Sequence, residues 1–378
     1  MSIENSIWLD LLTDEERQQL RRPASQLPRT PDVLVVGGGI IGAATAAACR
    51  LARLGSVLLI ERGHLAAGAT SGSAGMLVPE SHVGVDPAWL VELMRTSLGL
   101  WRELEARRSG GVGFLDLSWI VLEPAASELP TGLQNARRVG AAELQALIPT
   151  LAQPQGAVVV ERQGRVNPVR AVLRLLADID VATEVTALSV ATDGGRITRV
   201  GTSAGDIQPG LVIFATGVPP HLAGLNLDIP YGLVKGHLVA TEPAPLRLPG
   251  YVLSLATQID DGRLLVGSST DPGDDTTAVR ADVVDGLWTS FVQQLADASG
   301  LSLRKSHQWC CFRPWHPDSI PVLDRVPGVS NAWFSSGQYK TGVLMAPVTA
   351  QLLVDWIRSG SPPEAVAPMS ASRLMPLG

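Results

Sequence analysis

Two uninterrupted apolar runs, Val33-Leu34-Val35-Val36 and Val57-Leu58-Leu59-Ile60, flank a stretch of small residues through Ala43, Ala44, Ala46, Ala47 and Ala48. A β-branched run without polar alternation reads as a strand buried on both faces. The small-residue stretch between them reads as a helix, so the three segments predict a βαβ unit. Farther along, apolar spacing predicts a helix from about Trp89 to Arg107 and strand-like segments around Ile120 and Val158. Asn167-Pro168 reads as an N-cap followed by proline at the first helical position, opening a helix to about Ala177. Leu211-Val212-Ile213-Phe214 is another fully apolar strand, ending at Ala215-Thr216-Gly217, and alternating strands occupy roughly 235 to 270, including Arg263-Leu264-Leu265-Val266. Before all of these, Trp8, Leu11, Leu12 and Leu20 predict a short amphipathic helix, and Arg22-Pro23 to Pro31 a polar linker. This appendage is expected either to strap onto the domain surface or to mediate a dimer contact.

A chain of 378 residues exceeds what one compact core usually holds, so two interwoven domains are expected. Charged residues make up 17% against a usual share of about 25%, and apolar residues 46%, which is a folded rather than a disordered composition. The net charge of −6 argues against a nucleic-acid partner, which normally calls for a basic face. The three cysteines, Cys49, Cys310 and Cys311, form no disulfide framework, so a reducing compartment is the expectation. The N-terminus lacks the basic start and apolar stretch of a signal peptide, and no apolar run reaches the roughly 18 residues of a membrane span. A cytoplasmic protein without membrane contact is expected. His307 and His316 are too scattered to predict a metal, and no C-x-x-C pair, H-E-x-x-H or nucleophile elbow occurs.

Gly37-Gly38-Gly39-Ile40-Ile41-Gly42 directly follows the first strand and opens the helix. In that pattern Gly37 permits the tight turn, Gly39 lets backbone approach a pyrophosphate, and Gly42 lets helix and sheet pack closely. The helix N-terminus then offers free N–H groups and partial positive charge to the phosphates. Glu61 ends the second strand, about 20 residues beyond the last glycine, where a carboxylate holds ribose hydroxyls and disfavours a 2′-phosphate. Strand, turn, helix, strand and acid in order predict dinucleotide binding. The motif alone does not separate a flavin from a nicotinamide dinucleotide.

Glu61-Arg62-Gly63, followed by Ala67-Gly68-Ala69-Thr70-Ser71-Gly72-Ser73-Ala74-Gly75-Met76, resembles the second flavin-contact segment of the glycine oxidase and D-amino-acid oxidase family. Phe214-Ala215-Thr216-Gly217 resembles that family's later strand ending beside the cofactor. Phe312-Arg313-Pro314, Pro317-Asp318, Pro321-Val322, Ser336-Gly337-Gln338-Tyr339-Lys340-Thr341-Gly342 and Ala346-Pro347 stand in the family's order and spacing. Together these segments reach from about residue 32 to 357.

The resemblance implies an α/β and α+β architecture. A Rossmann-like FAD-binding domain, discontinuous over 31–80, 150–222 and 310–360, would be interwoven with a substrate domain on a mostly antiparallel sheet, 81–149 and 223–309. Residues 1–30 would be an appendage and linker, and 361–378 a loose tail. FAD contacts are implied for Gly37, Gly39, Ile40, Ile41, Gly42, Glu61 and Arg62. They are implied equally for Thr70, Ser71, Ala74, Gly75, Met76, Val185, Ala215, Thr216 and Gly217. The last set is Gly337, Tyr339, Lys340, Thr341, Gly342 and Val343, with Gly342 opening a helix whose positive end faces the flavin. Arg313 is implied to hold a substrate carboxylate; the alternative is a surface or salt-bridged arginine. Lys340 stands where glycine oxidase has arginine, and is either a ligand contact or a lysine reaching to solvent.

Three departures bear on chemistry. Leu255 falls near a tyrosine of glycine oxidase and Thr270 near its methionine, while Tyr251 either substitutes for the tyrosine from another place or is an ordinary strand aromatic. Glycine itself is therefore in doubt as the substrate. Cys311 lies six residues before Pro317, the offset at which the more distant sarcosine oxidases attach flavin; it is either a covalent flavin link or a buried inert cysteine, with non-covalent FAD expected. Leu265 lies near the place of the lysine that sarcosine oxidase uses for oxygen activation. His237, after Lys235-Gly236, reads as a hydrogen-bonded core histidine rather than a base.

The resemblance thus implies an FAD-dependent oxidase of a small amine or amino acid. Hydride would pass from the α carbon to flavin N5 to give an imine, oxygen would reoxidise the flavin to give hydrogen peroxide, and no side chain need act as general base. One alternative is a dehydrogenase of a D-amino acid or 2-hydroxy acid with a non-oxygen acceptor. Another, of a different class, is a non-catalytic flavin-binding scaffold subunit. The expected partners are the small substrate and O2 or another acceptor, and homo-oligomerisation is left open.

Overall fold

The computed structural model describes residues 6–23, 26–107, 110–252, 256–297 and 299–375. Leu255 lies outside the described residues.

The predicted βαβ unit is present as strand Val33–Val36, helix Ile40–Leu51 and strand Val57–Glu61, with Val33 beside Val57 and Val36 beside Ile60 in parallel register. Both strands sit inside a six-stranded sheet ordered 322–325, 332–336, 211–217, 33–36, 57–61, 180–183. Its pairs are parallel except for the edge strand Val322–Arg325, which runs antiparallel to Ala332–Ser336. Central strands covered on both faces explain the unbroken apolar runs. The helix Ile40–Leu51 buries Gly42, Ala43, Ala46 and Ala47, and these small side chains let the long helix Gly342–Ser359 pack closely against it. Asn167 caps its helix as its position predicted, accepting from the N–H groups of Val169 and Arg170, both at 3.0 Å.

A nine-stranded, mostly antiparallel sheet forms the second body, and it takes more of the chain than expected. Gly156–Val166, assigned from sequence to the nucleotide domain, pairs instead with Phe114–Leu122, Ala136–Gly140 and Met76–Leu77. Lys305–Trp315 likewise pairs along its length with Gly232–Thr241. Ladder hydrogen bonds on these long strands therefore move both expected boundaries.

The N-terminal segment packs onto the domain as a strap, the first of the two expected arrangements. Ile7 and Trp8 are fully buried, and helices Ile7–Asp10 and Asp14–Gln18 strap the two sheets together. The Ser6 hydroxyl donates to the Ser71 carbonyl and Trp8 Nε1 to the Ser73 carbonyl, each at 2.7 Å. Glu16 pairs with Arg170 at 3.0 Å, and Asp10 with Arg263 at 3.0 Å and His307 at 3.1 Å. The expected loose tail is also seated as far as residue 375: Val366, Met369 and Ala371 are buried, and Arg373 pairs with Asp318 at 2.7 Å. Its few apolar residues carried no periodic signal. Among the described residues no helix is long and apolar enough to cross a membrane.

Candidate active site

A cavity of about 1170 Å³ is lined by residues of both sheets. At the nucleotide end, Gly37 has φ 120°, and an added Cβ would stand 2.4 Å from the Ala215 carbonyl oxygen, so only glycine makes this turn. A Cβ on Gly39 would meet only the Thr70 hydroxyl, at 3.3 Å, which leaves the backbone open to the cavity. That hydroxyl accepts from the Ile40 N–H at 3.0 Å. The Glu61 carboxylate accepts from the N–H groups of Gly38 at 2.7 Å and Gly63 at 2.9 Å. With about four acceptor positions on a carboxylate, capacity remains for ribose hydroxyls.

Arg62, Ala74, Gly75, Met76, Val185, Ala215, Thr216 and Gly217 face the same cavity, as do Gly37, Gly39, Ile40, Ile41, Glu61, Thr70, Tyr339, Lys340, Gly342 and Val343. Four expected contacts do not line it. Gly42 packs so tightly on Gly37 that a Cβ would fall 1.9 Å from its carbonyl oxygen. Ser71 is fully buried beneath the N-terminal strap. Gly337 backs onto His316, and the Thr341 hydroxyl turns back to the Gln338 carbonyl at 2.9 Å. These four shape the wall from behind.

The helix Gly342–Ser359 starts without a side-chain cap, and its first residues Gly342, Val343 and Leu344 line the cavity. Its positive end therefore points inward, where negative charge is stabilised. Beside it Gln338, 7% exposed, presents an Oε1 with no hydrogen-bond partner among the described residues. An orphaned acceptor, a turn open to backbone approach, and a carboxylate with spare capacity fit an elongated dinucleotide bearing N–H donors.

At the other end, Arg313 projects from Lys305–Trp315. Its Nη2 donates to the Ser268 hydroxyl at 3.0 Å and its Nη1 to the Ser269 carbonyl at 3.1 Å. Gly236 on the adjacent strand makes room for the fork, since a Cβ there would lie 2.2 Å from Nη2. Among the described residues no carboxylate pairs with this guanidinium, so the salt-bridged alternative falls away. Tyr251, Thr257, Leu238 and Leu265 complete the wall, and the Tyr251 phenol is pushed above its ordinary range by burial. Thr270 lines the rim, exposed. Lys340 is exposed too, its Nζ 5.2 Å from the centre of the Tyr339 ring.

Two buried basic side chains, Lys235 and His237, hold the loop that carries Ser268 and Thr270. Lys235 Nζ donates to Asp274 at 3.0 Å, Thr276 at 3.0 Å and the Ala278 carbonyl at 2.7 Å. His237 Nδ1 lies 3.0 Å from Asp271, and its Nε2 accepts from the Arg280 N–H at 3.1 Å. Both ring nitrogens are thereby occupied, so His237 is a structural residue of the loop. Cys311 lines the cavity, but its sulfur lies 3.3 Å from the Gly72 carbonyl oxygen, and burial pushes its thiol up to about 11. A thiol so raised is a poor nucleophile near neutral pH.

Among the cavity residues the sequence reading did not name is a histidine. His82 ends the turn Pro79–His82 with Nδ1 2.6 Å from Asp86 Oδ2. The four-residue spacing was the available signal.

Comparison with known proteins places this geometry. The profile of the family described as FAD dependent oxidoreductase (DAO) matches residues 32–356. The chain belongs to that family. It is an FAD-dependent oxidoreductase. The glycine oxidase of Pseudomonas putida is 27% identical over 351 residues, covering 87% of this chain and 95% of that protein. The glycine oxidase of Pseudomonas aeruginosa is 29% identical over 352 residues, covering 88% and 95%. Among solved structures, glycine oxidase from Geobacillus kaustophilus superposes with a TM-score of 0.78 at 24% identity, covering 92% of this chain and all of the other. L-proline dehydrogenase from P. horikoshii gives 0.79 at 19% identity, covering 92% and 98%. At these identities the structural likenesses establish the DAO fold.

Proposed function

We propose that this DAO-family member oxidises a small amino acid, or an amine bearing a carboxylate, at the carbon that carries the nitrogen. The observation that carries the reading is Arg313: a guanidinium facing the cavity, given space by Gly236 and without a carboxylate partner among the described residues. Its planar fork suits bidentate, charge-assisted binding of a substrate carboxylate. The two Pseudomonas relatives, both glycine oxidases, support an amino-acid substrate.

In this reading Glu61 receives ribose hydroxyls, the N-terminus of Ile40–Leu51 receives the pyrophosphate, and the N-terminus of Gly342–Ser359 with Gln338 receives the ring system. Bound FAD supplies the hydride acceptor and, through O2, the route to hydrogen peroxide. The chain's own contribution is positional. Arg313 fixes the carboxylate end, and so aims the substrate's α carbon into the cavity. Leu238, Leu265 and Tyr251 keep water from the reacting end. Thr270 on the rim is a short polar side chain that leaves the mouth wider than a longer residue would.

The test is anaerobic mixing of the purified yellow protein with glycine, sarcosine, D-alanine and D-lactate in turn, followed by oxygen-uptake measurements. Bleaching by an amine with matching oxygen uptake supports the proposal. Bleaching by lactate alone, or by none of them, overturns it.

A further inference from the structure

We propose that His82, oriented by Asp86, accepts the proton that an amino-acid substrate sheds from its nitrogen before oxidation. This rests on the amino-acid reading above. His82 lines the cavity, and both its side chain and that of Asp86 are 18% exposed, which sets the pair in the wall near solvent. Nδ1 is committed to Asp86, so the proton sits there and Nε2 is the acceptor of the neutral ring. Nε2 has no hydrogen-bond partner among the described residues and keeps accessible surface. Val78, four residues earlier in the wall, packs in the same apolar cluster as Tyr251, which lines the substrate end.

Hydride transfer itself needs no side-chain base, but the amine must first lose a proton. An amino acid enters near neutral pH with its nitrogen as an ammonium, which has no lone pair with which to expel hydride. Transfer to Nε2 breaks one N–H bond, leaves the electron pair on the substrate nitrogen and forms a new N–H bond on the ring. Asp86 then balances the imidazolium, and solvent at the mouth removes the proton. Arg313 would hold the anionic end of the zwitterion and His82 the cationic one.

The other charged groups around this turn are engaged elsewhere. Glu80 on the same turn forms a two-point pair with Arg95, with both distances 2.8 Å, and Arg95 of the helix Ala88–Arg107 also binds Glu92. On that helix Arg102 pairs with Asp116. On the strand Gly156–Val166, Arg165 pairs with Asp260 and Glu161 with Arg137. Asp86 is thus the ionic partner left to His82 among the described residues.

The experiment compares wild type, H82Q and D86N by anaerobic stopped-flow with glycine, sarcosine and D-alanine, from about pH 6 to pH 10, a range spanning histidine and amine titration. Flavin content and Tm are followed in parallel. H82Q is expected to slow reduction about 10²-fold near pH 7 and to recover at high pH, where the substrate brings its own free amine. D86N is expected to fall between the two. Superimposable pH–rate profiles for wild type and H82Q would overturn the proposal. A wild type that none of these compounds reduces sinks the amino-acid reading, and this inference with it. A readout independent of turnover is the imidazole ¹⁵N spectrum, with His82 assigned by its loss in H82Q. A Nδ1–H tautomer is expected, and a Nε2–H tautomer rules the acceptor role out.

Discussion

The hydroxyl of Thr70 accepts a hydrogen bond from the backbone N–H of Ile40 at 3.0 Å, tying the turn Ala69–Gly72 to the mouth of the glycine-rich helix. Thr70→Val keeps the shape but leaves that buried donor unpaired, a loss of about 1–3 kcal/mol. The expected result is a rise of about tenfold in the dissociation constant for FAD, read by fluorescence titration of the apoprotein. Thr70→Ser should bind FAD as the wild type does.

Arg313→Ala is expected to raise KM for carboxylate substrates about 10²-fold, because the substrate's buried charge loses its partner. Arg313→Lys should recover only part of this, since a point charge cannot make the fork. Both variants should purify with normal FAD. An unchanged KM in the alanine variant would take Arg313 out of the substrate site.

Asp274 is held at about 2, below its ordinary 3.8, by hydrogen bonds from Thr276 and from the fully buried Lys235. Its contribution to stability is complete above about pH 4 and fades as the pH falls towards 2. Asp274→Asn should therefore lower Tm by several degrees at pH 7 and flatten the acid limb of a Tm–pH curve. The Arg313 site should loosen with it, because the same loop carries Ser268 and Ser269.

For Cys311, a thiol pushed up to about 11 and turned to the Gly72 carbonyl points to FAD held without a covalent bond. Acid precipitation should release all of the flavin into the supernatant, and Cys311→Ala should remain yellow. Flavin retained in the wild-type pellet but released from the variant would reverse this assignment.

What could be read from sequence was what a few neighbouring residues decide. The first βαβ unit and the Asn167 cap follow from local apolar spacing and cap chemistry, whereas the helix opening at Gly342 is implied by the family resemblance. Strand partners do not: the residues of Gly156–Val166 carry a strand pattern but nothing that says which sheet they join. In the site, Ser71, Gly337 and Thr341 differ from their cavity-facing neighbours by one position of backbone rotation, which no motif encodes, whereas the glycine motif does give Gly42 its close packing on Gly37. The His82–Asp86 spacing is visible in the chain, yet only tertiary folding sets it in a cavity wall rather than on an outer surface. His237 shows the converse, a histidine close to the site whose two nitrogens are both spent on the neighbouring loop.

The N-terminal strap imposes an order on assembly. Ser6 meets Ser71 across 65 residues, Glu16 meets Arg170 across 154, and Asp10 meets Arg263 across 253. Synthesis delivers the N-terminus first, whereas contacts of such separation wait for the later chain and for loop closure. The strap's contacts with Ser71 and Ser73 can form early, but its pairs with Arg170 and Arg263 wait for the later chain, so its seating over the Ala69–Gly72 turn is completed late. The earliest residues of the chain are the latch rather than the nucleus of this fold.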